Sequence, residues 1–182
     1  MISDNGTAIP FDQVLLRMGA AATIGAMIGL NRELHGKSAG LRTQAMVGLS
    51  GAMVIALSIE VSSSGAIADM GAVTRVIQGV LTGIGFLGAG VIYRDSNAKK
   101  VSGLTTAASV WVVACIGMAC GAGRWRIVTA ATAITLLVLF VGGPVEKRFD
   151  QLMKRRKANE TPAEPGPNPN PVGSDFSRVS IP

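Results

Sequence analysis

Charge is scarce in this sequence: only 28 of its 182 side chains are Asp, Glu, Lys or Arg. Twelve of these fall in residues 145–182, leaving 16 for the first 144 positions. A soluble domain of that length could not cover its surface with so few charges, so a water-soluble globular enzyme is excluded at the outset. Histidine occurs once, at His35, so neither a His-based metal cage nor a Ser-His-Asp triad has its members. The two cysteines, Cys115 and Cys120, lie five residues apart. On a helix they point ~140° from one another, which rules out a disulfide between them and leaves two buried small residues. Aromatic residues make up 4% of the chain, and none is interleaved with its densest basic run, which argues against nucleic-acid binding. No catalytic constellation remains, and neither enzymatic activity, a cofactor nor a metal site is expected.

Glycine and long uncharged runs are what the chain does have. Of 23 glycines, 21 lie in the same low-charge stretch. Glycine costs about 1 kcal/mol against alanine in a soluble helix, but it is common where helices meet closely in lipid. Residues 43–59, 76–93, 101–123 and 127–145 carry no charge, and 14–30 carry only Arg17, near one end where it can snorkel. About 20 helical residues cross a bilayer core. The expected fold is therefore all-α, a polytopic bundle of five transmembrane helices. With five spans, 13 Lys and Arg residues share one side and 3 the other, which predicts an N-terminus outside and a C-terminus in the cytoplasm. The first 13 residues lack the basic start of a signal peptide, so the first span serves as an uncleaved insertion signal.

This divides the chain into a short extracytoplasmic tail (1–13), a five-helix membrane domain (14–145) and a basic, then Pro-rich cytoplasmic tail (146–182). Residues 145–161 combine Phe149, Leu152 and Met153 with the basic run 154–157, reading as an amphipathic extension on an anionic leaflet. Residues 162–182 have no apolar period and are expected to be disordered.

Glycines four apart recur at Gly25/Gly29, Gly79/Gly83 and Gly117/Gly121, each pair on one helix face. Packing within the bundle and docking onto another copy or another membrane protein both use such faces. Gly83, Gly85 and Gly88 formally match a dinucleotide fingerprint. That motif requires a strand, a turn and a following acid, whereas this match lies inside an apolar span, so nucleotide binding is rejected. Arg32, Glu33, Arg42, Arg94 and Asp95 gather at the predicted cytoplasmic ends of spans one to four. Thr43 stands beside them, and Thr105, Thr106 and Ser109 open span four on the same side. Ionisable groups at membrane depth are expensive and tend to be paired or functional. Snorkelling and a polar vestibule between the first and third connections explain this cluster equally well. Tyr93 and Trp125 sit at span ends as interfacial aromatics, while Trp111, inside span four, reads as a packing residue.

Five motifs stand in order along the chain: IGLNRE (28–33), AGLRT (39–43), RVIQG (75–79), GIGFLGAGVI (83–92) and GLTTAA (103–108) followed by Trp111. Together they resemble the membrane domain of the MgtC/SapB family over residues 14–143. The resemblance implies a multi-pass bacterial inner-membrane protein linked to growth at low magnesium and, in pathogens, to survival inside macrophages. It also implies regulatory contacts with machines such as the F-type ATP synthase or P-type magnesium pumps. It draws attention to Arg32, Glu33, Arg42, Thr43, Arg75, Gly85, Gly88, Thr105, Thr106 and Trp111 as family-pattern positions. Two departures stand out. Asn31 replaces a glutamate that many relatives carry, and the 38 residues after the last span are too few for the ACT-type domain that often follows. The leading expectation is a non-enzymatic regulator acting through intramembrane helix contacts, with the bilayer and other membrane proteins or itself as partners. The alternative is a small cation or solute transporter built on the polar cluster.

Overall fold

The computed structural model describes residues 9–63, 70–95 and 100–160. It contains helices α1 (Phe11–Leu34), α2 (Leu41–Ser63), α3 (Met70–Val91), α4 (Leu104–Gly121) and α5 (Trp125–Glu160). All five are long and apolar enough to cross a membrane, in agreement with the four uncharged runs and the fifth that carries only Arg17. The physical reason is the same in both views. Lipid excludes charge, and a helix satisfies its backbone N–H and C=O groups within a single segment.

The connection between α3 and α4 differs from the sequence expectation. The uncharged runs extended through Tyr93 and resumed at Val101. Instead, Tyr93–Asp95 forms strand β1, paired antiparallel with strand β2 (Lys100–Ser102), with Arg94 opposite Val101 and Asp95 opposite Lys100. The helical bundle thus carries a two-stranded ribbon at one end. Gly103 then starts α4 from a left-handed backbone, φ 92°. A Cβ here would collide with the Val91 carbonyl, so this turn admits glycine alone.

α1, α2 and α4 form the close-packed heart of the bundle. In α4, 56% of the membrane-spanning window is buried, against 6% in both α3 and α5. Val110, Val113, Ala114, Ile116 and Cys120 of α4 pack with Ala21 and Ile28 of α1 and with Val47 and Ala52 of α2. The approach is close because glycines line it. A Cβ on Gly25 would meet the Gln44 carbonyl, and one on Gly29 would come within 2.7 Å of the Gly40 carbonyl. Toward α4, Cβ atoms on Gly117 and Gly121 would strike the carbonyls of Gly48 and Ala52. α2 therefore meets both α1 and α4 by backbone-to-backbone contact, the arrangement that small-xxx-small spacing permits.

The glycines of α3 are used differently. Cβ atoms on Gly79, Gly83 and Gly85 would meet nothing within 4 Å among the described residues, and one on Gly88 would only touch Ala107 at 3.6 Å. α5 also lies at the periphery, but there the exposed residues are the bulky Ile134, Leu137, Val138 and Phe140. The compact unit ends at Phe140; α5 itself continues as helix to Glu160 and so includes the basic run 154–157. The Pro-rich stretch lies outside the described residues.

Candidate functional site

The most demanding polar chemistry sits where the end of α1 meets the beginning of α4. Arg32, in the last turn of α1, is only 5% exposed. Its Nη2 donates to the Thr106 hydroxyl at 2.6 Å. Ser38, in the α1–α2 connection, donates to the same oxygen at 3.4 Å. A second tier lies deeper. Gln44 of α2 is fully buried and donates through Nε2 to the Ser109 hydroxyl at 2.9 Å, which in turn donates to the Thr106 carbonyl at 2.8 Å. Among the described residues, Arg32 Nε and Gln44 Oε1 are buried without a partner. A buried polar atom left unpaired costs about 1–3 kcal/mol, and more when the group is charged.

Glu33, next in sequence to Arg32, does not compensate it. Its carboxylate is exposed and accepts from the Leu41 N–H at 3.0 Å, so it caps the start of α2. A Cβ on Gly40 would come within 2.7 Å of Glu33 Oε2, so the glycine makes room for that cap. An acid at a helix N-terminus is favourable because it faces the positive end of the dipole. Arg32 is in the opposite position. Thr106 is the third residue of α4, whose N-cap residue, Gly103, supplies no side-chain hydrogen bond. The guanidinium therefore lies beside the positive end of a helix.

At the other end of α4 the relation is reversed. Arg17 of α1 donates through Nη1 to the carbonyl of Gly121, the last residue of α4, at 2.9 Å. There a cation meets the negative end of the dipole and an otherwise unbonded carbonyl. Arg17 Nε, like that of Arg32, is buried without a partner, so what separates the two arginines is the field each guanidinium occupies.

The polar cluster read from the sequence is thus partly assembled. Arg32 and Thr106 are in contact, with Ser109 behind them. Glu33, Arg42 and Thr43 line an open recess of about 620 Å³ with Lys37 and Ser38. Thr105 is exposed on the first turn of α4 and borders a separate, mostly apolar recess of about 240 Å³ facing α5 residues Ile134 and Val138. The backbone of Arg94 and Asp95 lies in β1, and their side chains are outside the described residues. Arg75 is exposed in the second turn of α3. Trp111 is 43% exposed on the outer side of α4, so it is less a core residue than its place in the span suggested. Sequence reasoning missed Gln44 and Ser38. A lone Gln inside an apolar run was the available signal, because an amide in a bilayer needs a partner. Among the described residues no group of three His, Cys, Asp or Glu side chains stands together as a metal site.

Comparison with known proteins gives a concordant picture. The model of the MgtC family matches residues 18–148. The chain is 40% identical to protein SrpB of Synechococcus elongatus over 129 residues, 68% of this chain and 71% of SrpB. It is 38% identical to protein MgtC of Salmonella typhimurium over 138 residues, 76% of this chain and 56% of MgtC. It is also 36% identical to YhiD of Escherichia coli over 137 residues, 71% of this chain and 60% of YhiD. The match thus spans little more than half the length of the latter two relatives. No solved structure matches.

Proposed function

The chain belongs to the MgtC family, and from that premise we propose that it is a non-enzymatic modulator of other membrane proteins in adaptation to low magnesium. In this reading it lies in the bacterial inner membrane, N-terminus outside and C-terminus in the cytoplasm, and acts through intramembrane helix contacts. The family resemblance brings F-type ATP synthases and P-type magnesium pumps as candidate partners, and intracellular survival as a candidate setting.

The observation that carries the reading is the open face of α3. In lipid no hydrophobic force drives helices together, so a smooth glycine face is useful only where another backbone comes close. The glycine pairs of α1 and α4 meet α2, whereas Gly79 and Gly83 of α3 face nothing within 4 Å among the described residues. Gln78 and Thr82 are exposed on the same helix, within its uncharged run. Gln78 suits an interhelical hydrogen bond rather than lipid. The occupant that fits is a transmembrane helix of another protein, with small residues and one hydrogen-bonding side chain opposite Gln78. A face meant only for lipid looks like that of α5, built from large aliphatic residues.

The test is complementation of a deletion strain of the native host at limiting magnesium. Gly79→Leu with Gly83→Leu abolishes rescue while the protein stays at wild-type abundance, because those positions are open among the described residues. Undiminished rescue overturns the reading. A transporter is favoured by one feature, the buried Arg32–Gln44 network beside an open recess, and by the description of YhiD as a suggested magnesium transporter. Magnesium flux in protein-containing liposomes that is lost in Glu33→Gln would replace modulation by transport.

A further inference from the structure

We infer that the part of α5 beyond the bilayer is an arm that binds an anionic lipid surface, with phosphatidylglycerol-type headgroups as its ligand. α5 runs from Trp125 to Glu160, 36 residues, but its membrane-spanning part is the 18 residues Trp125–Gly142. About 20 helical residues already cross a bilayer core, so residues 143–160 outlast it while staying helical. The change of character is abrupt. Residues 125–142 hold one charged residue, Arg126, whereas residues 145–160 hold six Lys or Arg and three Asp or Glu.

The helix interrupts its own hydrogen-bond ladder at this boundary. Pro144 has no N–H to give to the Phe140 carbonyl, and it follows Gly142 and Gly143. A proline inside a helix and adjacent glycines are the usual places for a bend. The compact unit of the chain ends at the same point, at Phe140. A helix that leaves a membrane upright needs a bend of this kind before it can lie along the surface.

Helical register sorts the arm into two faces. At about 100° per residue, Val145, Phe149, Leu152 and Met153 fall within an arc of about 100°. Lys147, Lys154 and Ala158 fall on the opposite face, with Arg148 and Arg155 on one flank. Arg156 stands one turn beyond Leu152, at the end of the apolar stripe, where snorkelling makes arginine tolerable. An apolar stripe beside a basic face is what interfacial helices sink about 5–10 Å into the headgroup boundary. Each base near an anionic surface strengthens such a contact about fivefold. The stripe runs little more than two turns, too short for the sustained heptads by which a second copy would pair with it.

The full chain is reconstituted in nanodiscs of phosphatidylcholine, alone or mixed with phosphatidylglycerol, so both membrane faces carry the same lipid. An environment-sensitive fluorescent residue replaces Leu152 and, in a separate protein, Ala158 on the opposite face. At low salt, emission at Leu152 shifts to shorter wavelength in the phosphatidylglycerol discs, and high salt reverses the shift. Emission at Ala158 stays that of a water-exposed group. Lys154→Gln, Arg155→Gln, Arg156→Gln and Lys157→Gln together lower the ratio of surface-bound to free arm about tenfold or more. Gly142→Ala, Gly143→Ala and Pro144→Ala together weaken the shift as well, because they restore an uninterrupted helix. All of these positions lie beyond Phe140, outside the compact unit. Emission at Leu152 that is the same in both kinds of disc overturns the inference, as do equal shifts at Leu152 and Ala158. A shift that appears in detergent without phosphatidylglycerol and grows with protein concentration overturns it in favour of a second copy. The outcome is independent of what meets α3.

Discussion

α3 and α4 look alike on paper and serve opposite ends. Each is an apolar helix with glycines four residues apart, Gly79/Gly83 in one and Gly117/Gly121 in the other. In α4 those glycines face α2, where an added methyl would run into a carbonyl, and the helix is the most buried of the five spans. In α3 they face nothing among the described residues. The spacing therefore specifies a smooth face, while the fold decides whether that face is already filled. One motif builds the bundle and the other remains available outside it.

The largest effect that could break this contrast lies in α4. Gly117→Ala places a Cβ against the backbone of Gly48, which cannot swing aside as a side-chain tip would. A loss of about 3 kcal/mol is expected, the upper part of the range for overpacking a tight contact, visible as a lowered unfolding temperature in detergent. A change below 1 kcal/mol would mean that the α2–α4 contact is loose and that the contrast is not real.

The two ends of α4 sharpen the comparison further. Arg17→Met removes a charge-assisted bond to the Gly121 carbonyl and a favourable dipole contact, and should cost about 1–3 kcal/mol. Arg32→Met removes a buried cation that opposes the dipole. In zwitterionic detergent it should be near neutral or stabilising, because replacing a buried charge with an apolar chain of similar volume often is. Equal destabilisation by both substitutions, read from denaturation midpoints, would show that Arg32 is a structural device like Arg17.

The smallest effect belongs to α3. Gly83→Ala meets open space and removes a helix-disfavouring residue, so the isolated protein should gain up to about 1 kcal/mol. Measured stability that instead falls would place a neighbour on this face within the chain itself.

Much of this architecture is legible in the sequence because a bilayer imposes one simple rule. Charges cannot remain at its centre, so runs such as 43–59 and 127–145 announce their helices. The β1–β2 ribbon was not legible, since two strands of three residues carry no useful period, and Tyr93 and Val101 merely extended neighbouring apolar runs. Arg32 stood out as a charge near membrane depth. Its meaning did not, because snorkelling and a polar vestibule explain the same pattern, and only the fold shows that Glu33 turns to α2 while Arg32 meets Thr106. Gln44 was overlooked because one amide barely changes the hydropathy of its run, although it is a fully buried member of the site. For the glycines, local pattern names the face but not its neighbour. Gly117 and Gly83 differ only in which helices the fold brings beside them.

The claim that α3 offers its glycine face to another protein is tested most directly by site-specific photo-crosslinking in native membranes. A photoreactive residue is placed at Gly83 and, in a separate protein, at Leu137 on the outward aliphatic face of α5. Both positions are exposed, so both report whatever lies against them. A discrete adduct with a different membrane protein from Gly83, and lipid adducts alone from Leu137, is the expected result. Lipid adducts alone from both positions, or capture only of a second copy of the chain at Gly83, would contradict it.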